Sequence, residues 1–220
     1  MKDRLRSLGI PMKIMVLLSL TVASCLVGSQ ERAKVAPKIE EEKKVEPNAA
    51  SGTWEPIFFS AIDERAKIAK LTNLRTAFLS NEDLELRVWI GFGLIPLEGF
   101  VISHRGEQWS AIHLRSIGPH LPKSRYQNVL PTPRSGWDHF WRRLTDEGIL
   151  SLPDSSELKD EVMTRDGESF VVEIKWHDSY RAYHYQNPQS QKWPEAASMI
   201  RIAKVILEEF QINRQLLARD

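Results

Sequence analysis

Ser156-Glu157-Leu158-Lys159 sets a serine and a lysine one helical turn apart. At that spacing an amine can draw the proton from a nucleophilic hydroxyl. The S-D-N and K-T-G segments that complete such a site are absent, and the four residues after Pro153 read as a polar loop. Six histidines raise the question of a metal. Zinc-binding pairs stand at i, i+4 on a helix or at i, i+2 on a strand, and none of the six has either spacing. His177 and His184 fall on adjacent strands with Glu173 and Asp178 nearby, which makes a zinc or acid–base site the catalytic alternative. The structural alternative is a histidine in a turn beside a solvated Glu173–His184 cross-strand pair. Tyr180, Tyr183, Tyr185 and Trp193, interleaved with Gln186, Asn187 and Gln189, are residue types that line a groove for glycan or peptide. Their alternation along a strand accounts for most of them as core and edge packing. The chain holds no phosphate loop, nucleophile elbow, dinucleotide fingerprint or H-E-x-x-H. With no complete nucleophile or metal set and no cofactor motif, binding or interaction is favoured over catalysis. The rival is a small periplasmic hydrolase or metal-dependent enzyme using the His177/His184 region.

The most specific chemistry belongs to Cys25, the single cysteine of the chain. Lys2, Arg4, Arg6 and Lys13 precede an uncharged run from Ile14 to Ala23. That run is too short for a membrane span, which takes about 20 apolar residues. A basic start, an apolar stretch of about 7–15 residues and then small residues are the parts of a secretory signal peptide. Met1 and Met12 both serve as starts for it. Val22-Ala23-Ser24-Cys25 resembles the lipobox of bacterial membrane lipoprotein precursors. The resemblance implies that the Cys25 thiol takes a diacylglyceryl group, that residues 1–24 are removed, and that the new amino group is acylated, commonly by palmitate. It is confined to this segment. Cysteine usage agrees with it, because a stray free thiol is a liability in an oxidising compartment and a lipid-capped one is not. Two acyl chains suffice for stable anchoring. Cleavage at Val27-Gly28-Ser29, giving simple secretion, and an uncleaved anchor are the alternatives. On the favoured reading the protein sits on the cell membrane or outer membrane and faces the periplasm or exterior.

Residues 25–52 then form a lipidated cysteine and a flexible charged tether, with no aromatic residue among them. Such a segment cannot bury enough apolar area to offset its ordering entropy. As a coil it spans roughly 30 Å. Without residues 1–24 the chain has 26 basic and 28 acidic residues, a formal charge of −2. Near-neutral charge without a basic stripe argues against nucleic acid as a partner; an envelope protein or a glycan is the expected one.

Residues 53–220 are long enough for one domain with a real core. Ile62, Ala66, Ala69 and Leu74 fall near one side of a partial helix within residues 61–78. Leu86, Val88, Ile90 and Phe92 alternate with Glu85, Arg87 and Trp89, the period of a half-buried strand, which Gly91 and Gly93 end or bend. Two apolar segments flank a turn at Arg105-Gly106, and residues 117–135 read as a long loop. Ser135 and Asp138 make an acidic capping box for a helix whose apolar stripe is Trp137, Phe140, Trp141 and Leu144. That double-tryptophan stripe has the spacing of a core face, with ligand stacking as the alternative. Gly148 stands at the C-cap. Asp166-Gly167 marks a turn, and a second turn at Asp178-Ser179 pairs Trp176 with Arg181, Ile174 with Tyr183, Val172 with Tyr185 and Glu173 with His184. Pro194 opens a last helix with Ala196, Met199, Ile200, Ala203, Ile206, Leu207 and Phe210 as its stripe. The order is helix, three strands, helix, three strands, helix. The predicted fold is α+β: an antiparallel sheet of about five or six strands in two meanders, with helices packed on one face.

The order of signals from Trp137 through Gly167, the aromatic hairpin, Tyr185-Gln186-Asn187-Pro188 and the last helix also resembles uncharacterised bacterial domains. That resemblance brings no catalytic residue with it.

Overall fold

The computed structural model describes residues 55–92, 95–115, 127–162 and 167–214. Cys25 and the segments expected to be a signal peptide and a tether lie outside the described residues, as do Gly93, Asp166 and much of the loop expected after residue 117. Three helices and six strands follow in chain order: α1 (Glu55–Ile68), β1 (Leu84–Phe92), β2 (Ile95–Arg105), β3 (Gln108–Leu114), β4 (Gln127–Val129), α2 (Trp137–Asp146), β5 (Ser169–Trp176), β6 (Ser179–Gln186) and α3 (Pro194–Glu209). The strands form one sheet in the order β4-β3-β2-β1-β5-β6, antiparallel throughout. This is the expected α+β fold. Among the described residues, no helix is long and apolar enough to cross a membrane.

Strand parity decides which side each residue serves. Leu84, Leu86, Val88 and Ile90 of β1 join Phe100, Ile102, Ala111, Phe170, Val172, Tyr183 and Tyr185 on one face. The stripes of α2 (Phe140, Trp141, Leu144) and α3 (Ala196, Met199, Ala203, Ile206, Leu207) close this core. Those two helices share a face as expected, with Ile202 and Val205 widening the α3 stripe and Ile200 only partly buried. The third helix does not share it: α1 sets Ile62 against Trp89, Val101, Leu114 and Val171 on the opposite face. β1 is therefore buried on both sides, not half-buried.

Local differences from expectation have local causes. α1 begins earlier and ends sooner than residues 61–78, because Lys70 turns left-handed (φ 56) and the Leu71 N–H returns to the Ala66 carbonyl at 2.8 Å. Leu74 is still buried, from a loop. Ser135 does not cap α2: its N–H donates to the Glu209 carboxylate at 2.8 Å, and Gly136 (φ 83) takes the N-cap without a side-chain acceptor. The C-terminus is as expected. Gly148 (φ 82) donates to the Thr145 carbonyl and Ile149 to that of Leu144, the paired bonds of a Schellman motif. β4 lies in the expected long loop, so four strands precede α2. Two described strands follow α2; residue Val162 instead exchanges hydrogen bonds with the Gln191 side chain at 2.9 and 3.1 Å.

Gly91 (φ 124) carries a register shift between Ile90 and Phe92. Gly99 has a different reason: a Cβ there would stand 2.5 Å from the Trp89 ring, which lies across it. Trp89 is wholly buried and has nowhere to go. Gly99→Ala should therefore destabilise the chain by about 1–3 kcal/mol, read as a lower denaturant midpoint at unchanged slope. An unchanged midpoint would show that the indole can move aside.

Candidate functional site

The β5–β6 hairpin turns at His177-Asp178, with Trp176 opposite Ser179. Its register differs by two residues from the expected one. An even slip leaves every side chain on its expected face but changes its partner. Val172 faces Tyr183, Ile174 faces Arg181, Glu173 faces Ala182 and Val171 faces His184. Glu173 and His184 share a face without being directly paired.

That face is not solvated. Glu173 is 1 % exposed and His184 5 %, beneath α1 and the segment that follows it. The Glu173 carboxylate accepts from Trp89 Nε1 at 2.7 Å and from the Tyr180 hydroxyl at 3.0 Å. Burial pushes its pKa up, against the opposing pull of Arg87 and of these two donors. The Tyr180 phenol is also pushed up, by burial and then by the adjacent Glu173 charge. Beside them Glu85 accepts from Arg87 Nε at 2.8 Å and is bridged by Arg105, while Arg87 also reaches the Thr72 carbonyl at 2.9 Å. This lattice joins β1, β2, β5, β6 and the segment after α1. Its carboxylates are occupied by internal donors and covered from solvent, so it is a structural lattice.

The histidines separate. His184 packs tilted against Phe58, with 4.5 Å between ring centroids, and its backbone N–H donates to Asp154 at 2.8 Å. Burial lowers its pKa to about 4 despite the nearby Asp154 charge, so the ring is neutral at pH 7. His177 is at the turn (φ 50), 3.5 Å from the Asp178 carboxylate. His177 lies in the turn before β6 and His184 near the far end of that strand, roughly 20 Å apart along the chain. Among the described residues, no group of three or more His, Cys, Asp or Glu side chains converges as metal ligands. Ser156 lies in a three-residue 3-10 turn capped by Asp154, and Lys159 lies beyond it; both are exposed.

The four groove aromatics also part. Tyr183 and Tyr185 are wholly buried on the α2–α3 face and donate to the Ile149 and Pro153 carbonyls, each at 2.8 Å. With Arg181, which donates to the Leu150 carbonyl at 2.6 Å, they hold the chain after α2 onto the sheet. Tyr180 leaves on the other face. Trp193 is partly buried as the N-cap residue of α3 and donates to the Lys159 carbonyl at 2.6 Å.

An accessible aromatic site forms elsewhere. Trp109 of β3 and Trp137 of α2 stack nearly parallel, 12° apart with centroids at 5.7 Å. Trp141, 6 % exposed, supports Trp109 from beneath at 5.3 Å. The two upper indoles line an open depression of about 470 Å³ with Ser135, Gly136, Asp138, His139 and Arg142. Of the Trp137–Trp141 stripe, Trp141 is core and Trp137 is at the rim. Trp109 carries no sequence signal beyond a tryptophan next to a hairpin turn; its meeting with Trp137 depends on α2 folding back over β3. No protein-family model matches this chain, and neither a curated protein nor a solved structure is detectably similar to it.

Proposed function

We propose that this protein is a lipid-anchored component of a bacterial envelope whose α+β domain is a binding module held just off the membrane by a charged tether. The observation that carries the reading is Val22-Ala23-Ser24-Cys25 behind a short apolar run, in a chain with no other cysteine. The domain adds support of a second kind. Its buried acids serve internal hydrogen bonds, whereas Trp109 and Trp137 present aromatic surface beside charged side chains to solvent.

The test follows the lipid. Full-length protein made in a bacterium with intact lipoprotein maturation should enter the detergent phase on cloud-point partition and incorporate labelled palmitate. Cys25→Ser should move it to the aqueous phase and abolish the label. An unsubstituted chain found in the aqueous phase, with Gln30 at its N-terminus, would sink the reading.

A further inference from the structure

The Trp109–Trp137 depression has a chemistry of its own. Two indoles stacked on each other and held in fixed orientation line it. Trp137 packs edge-on against Phe140 at 6.1 Å and tilted against Phe210 at 6.1 Å, and His104 flanks Trp109 at 4.5 Å. The aromatic face carries partial negative charge and suits weakly positive C–H edges. Its rim holds Asp138, His139 and Arg142, all exposed. Among the described residues, neither Asp138 nor Arg142 forms an ion pair, so an acceptor and a donor fork remain available one helical turn apart. Their formal charges cancel across the site, which favours neither an anion nor a cation. A ligand matched to this arrangement is flat and apolar on one side, rich in groups that both donate and accept around its edge, and uncharged. A pyranose ring has those properties.

We infer that this depression is a glycan-binding site, in which one sugar ring lies against the aromatic surface that the stacked Trp109–Trp137 pair leaves open and its hydroxyls reach Asp138, His139 and Arg142. The inference deepens the binding-module reading and rests on it. It does not depend on the lipid anchor.

The experiment uses detergent-solubilised full-length protein titrated calorimetrically with two neutral probes, cellotetraose and chitotetraose. At least one should bind with a dissociation constant of about 0.01–1 mM. Trp137→Ala should weaken binding by about tenfold or more, while Trp137→Tyr, which keeps an aromatic plane, stays within about threefold. Arg142→Gln is the safeguard against a folding artefact: its side chain is exposed, so it should leave the melting temperature unchanged and still weaken binding by about three- to tenfold. Three outcomes would overturn the inference: no binding of either probe up to about 10 mM, affinity unchanged in both Trp137→Ala and Arg142→Gln, or displacement of the sugar by equimolar inorganic sulfate, which would make the site an anion site. Cys25→Ser should bind the probes as the parent does. Loss of the anchor and loss of the sugar are therefore read separately.

Discussion

Trp89→Ala should leave the domain unfolded or only marginally folded. Trp89 is wholly buried at the centre of β1, over Gly99 and against Ile62, Val101, Leu114 and Val171. Deleting such a ring typically costs about 3–5 kcal/mol through lost transfer and a residual cavity. The substitution also removes the indole N–H that donates to Glu173 at 2.7 Å. A buried acceptor left short of a donor adds about 1–3 kcal/mol. The total is a large part of a domain stability of about 5–15 kcal/mol. Trp89→Phe separates the two losses, since it keeps most of the bulk and removes only the donor; it should cost about 1–3 kcal/mol. Chemical denaturation measures both. If Trp89→Ala melts within a few degrees of the parent, the α1 face is far more plastic than its packing implies.

The second large effect is a loss of stability in acid that is carried by His184. Its pKa is lowered from 6.5 to about 4 by burial against α1. The native state therefore binds this proton less readily than the unfolded chain. The stabilisation is fully present above the unfolded value and is lost as pH falls from about 6.5 towards 4. A shift of this size corresponds to about 3 kcal/mol across that window. Glu173 acts with the opposite sign. Its raised pKa favours the protonated native state, so its contribution is present below the unfolded carboxylate value and fades as pH rises through the folded one. Total stability mixes the two effects, and the comparison with His184→Gln separates them. The parent should lose about 3 kcal/mol more than the variant between about pH 7 and pH 4. A parent-to-variant difference that does not change with pH would show that the imidazole titrates freely in the native state.

Both predictions concern a face that alternation located but did not describe. The order Glu85, Arg87, Trp89 beside Leu86, Val88, Ile90 says which side each residue leaves, because a strand has a period of two. It does not say whether a side is covered. Cover comes from α1: Ile62 and Ala66 fall on one side of it in the sequence and are buried, but nothing in that pattern says which face of the sheet the helix takes. Trp89 among charged neighbours was the one available hint. The hairpin shows a related limit. Its turn was misplaced by one residue, which moves the register by two and preserves every face. Tyr183 and Tyr185 were thus expected on the core side and are found there, with different partners. Trp109 and Trp137 were not legible as a pair because they lie on separate elements. Strong local signals behaved otherwise: Gly148 and Pro194 mark helix ends where side-chain-free or pre-set backbone is required.

The strand order has a consequence for how the chain reaches this state. β4-β3-β2-β1 is a run of sequence neighbours, and so is β5-β6, but the two runs meet only where β1 lies beside β5. Partners along that seam, from Leu84 with Trp176 to Gly91 with Ser169, are roughly 80–90 residues apart in the chain. Each hairpin can close early and cheaply on its own. Neither can bury its apolar face until the seam forms, and forming it closes a loop that contains β2, β3, β4 and α2. Search for that one long-range register should therefore govern the folding rate. The residues that define it, with Glu173 opposite Arg87 and Val171 opposite Trp89, are the same ones that fasten the buried lattice in the finished molecule.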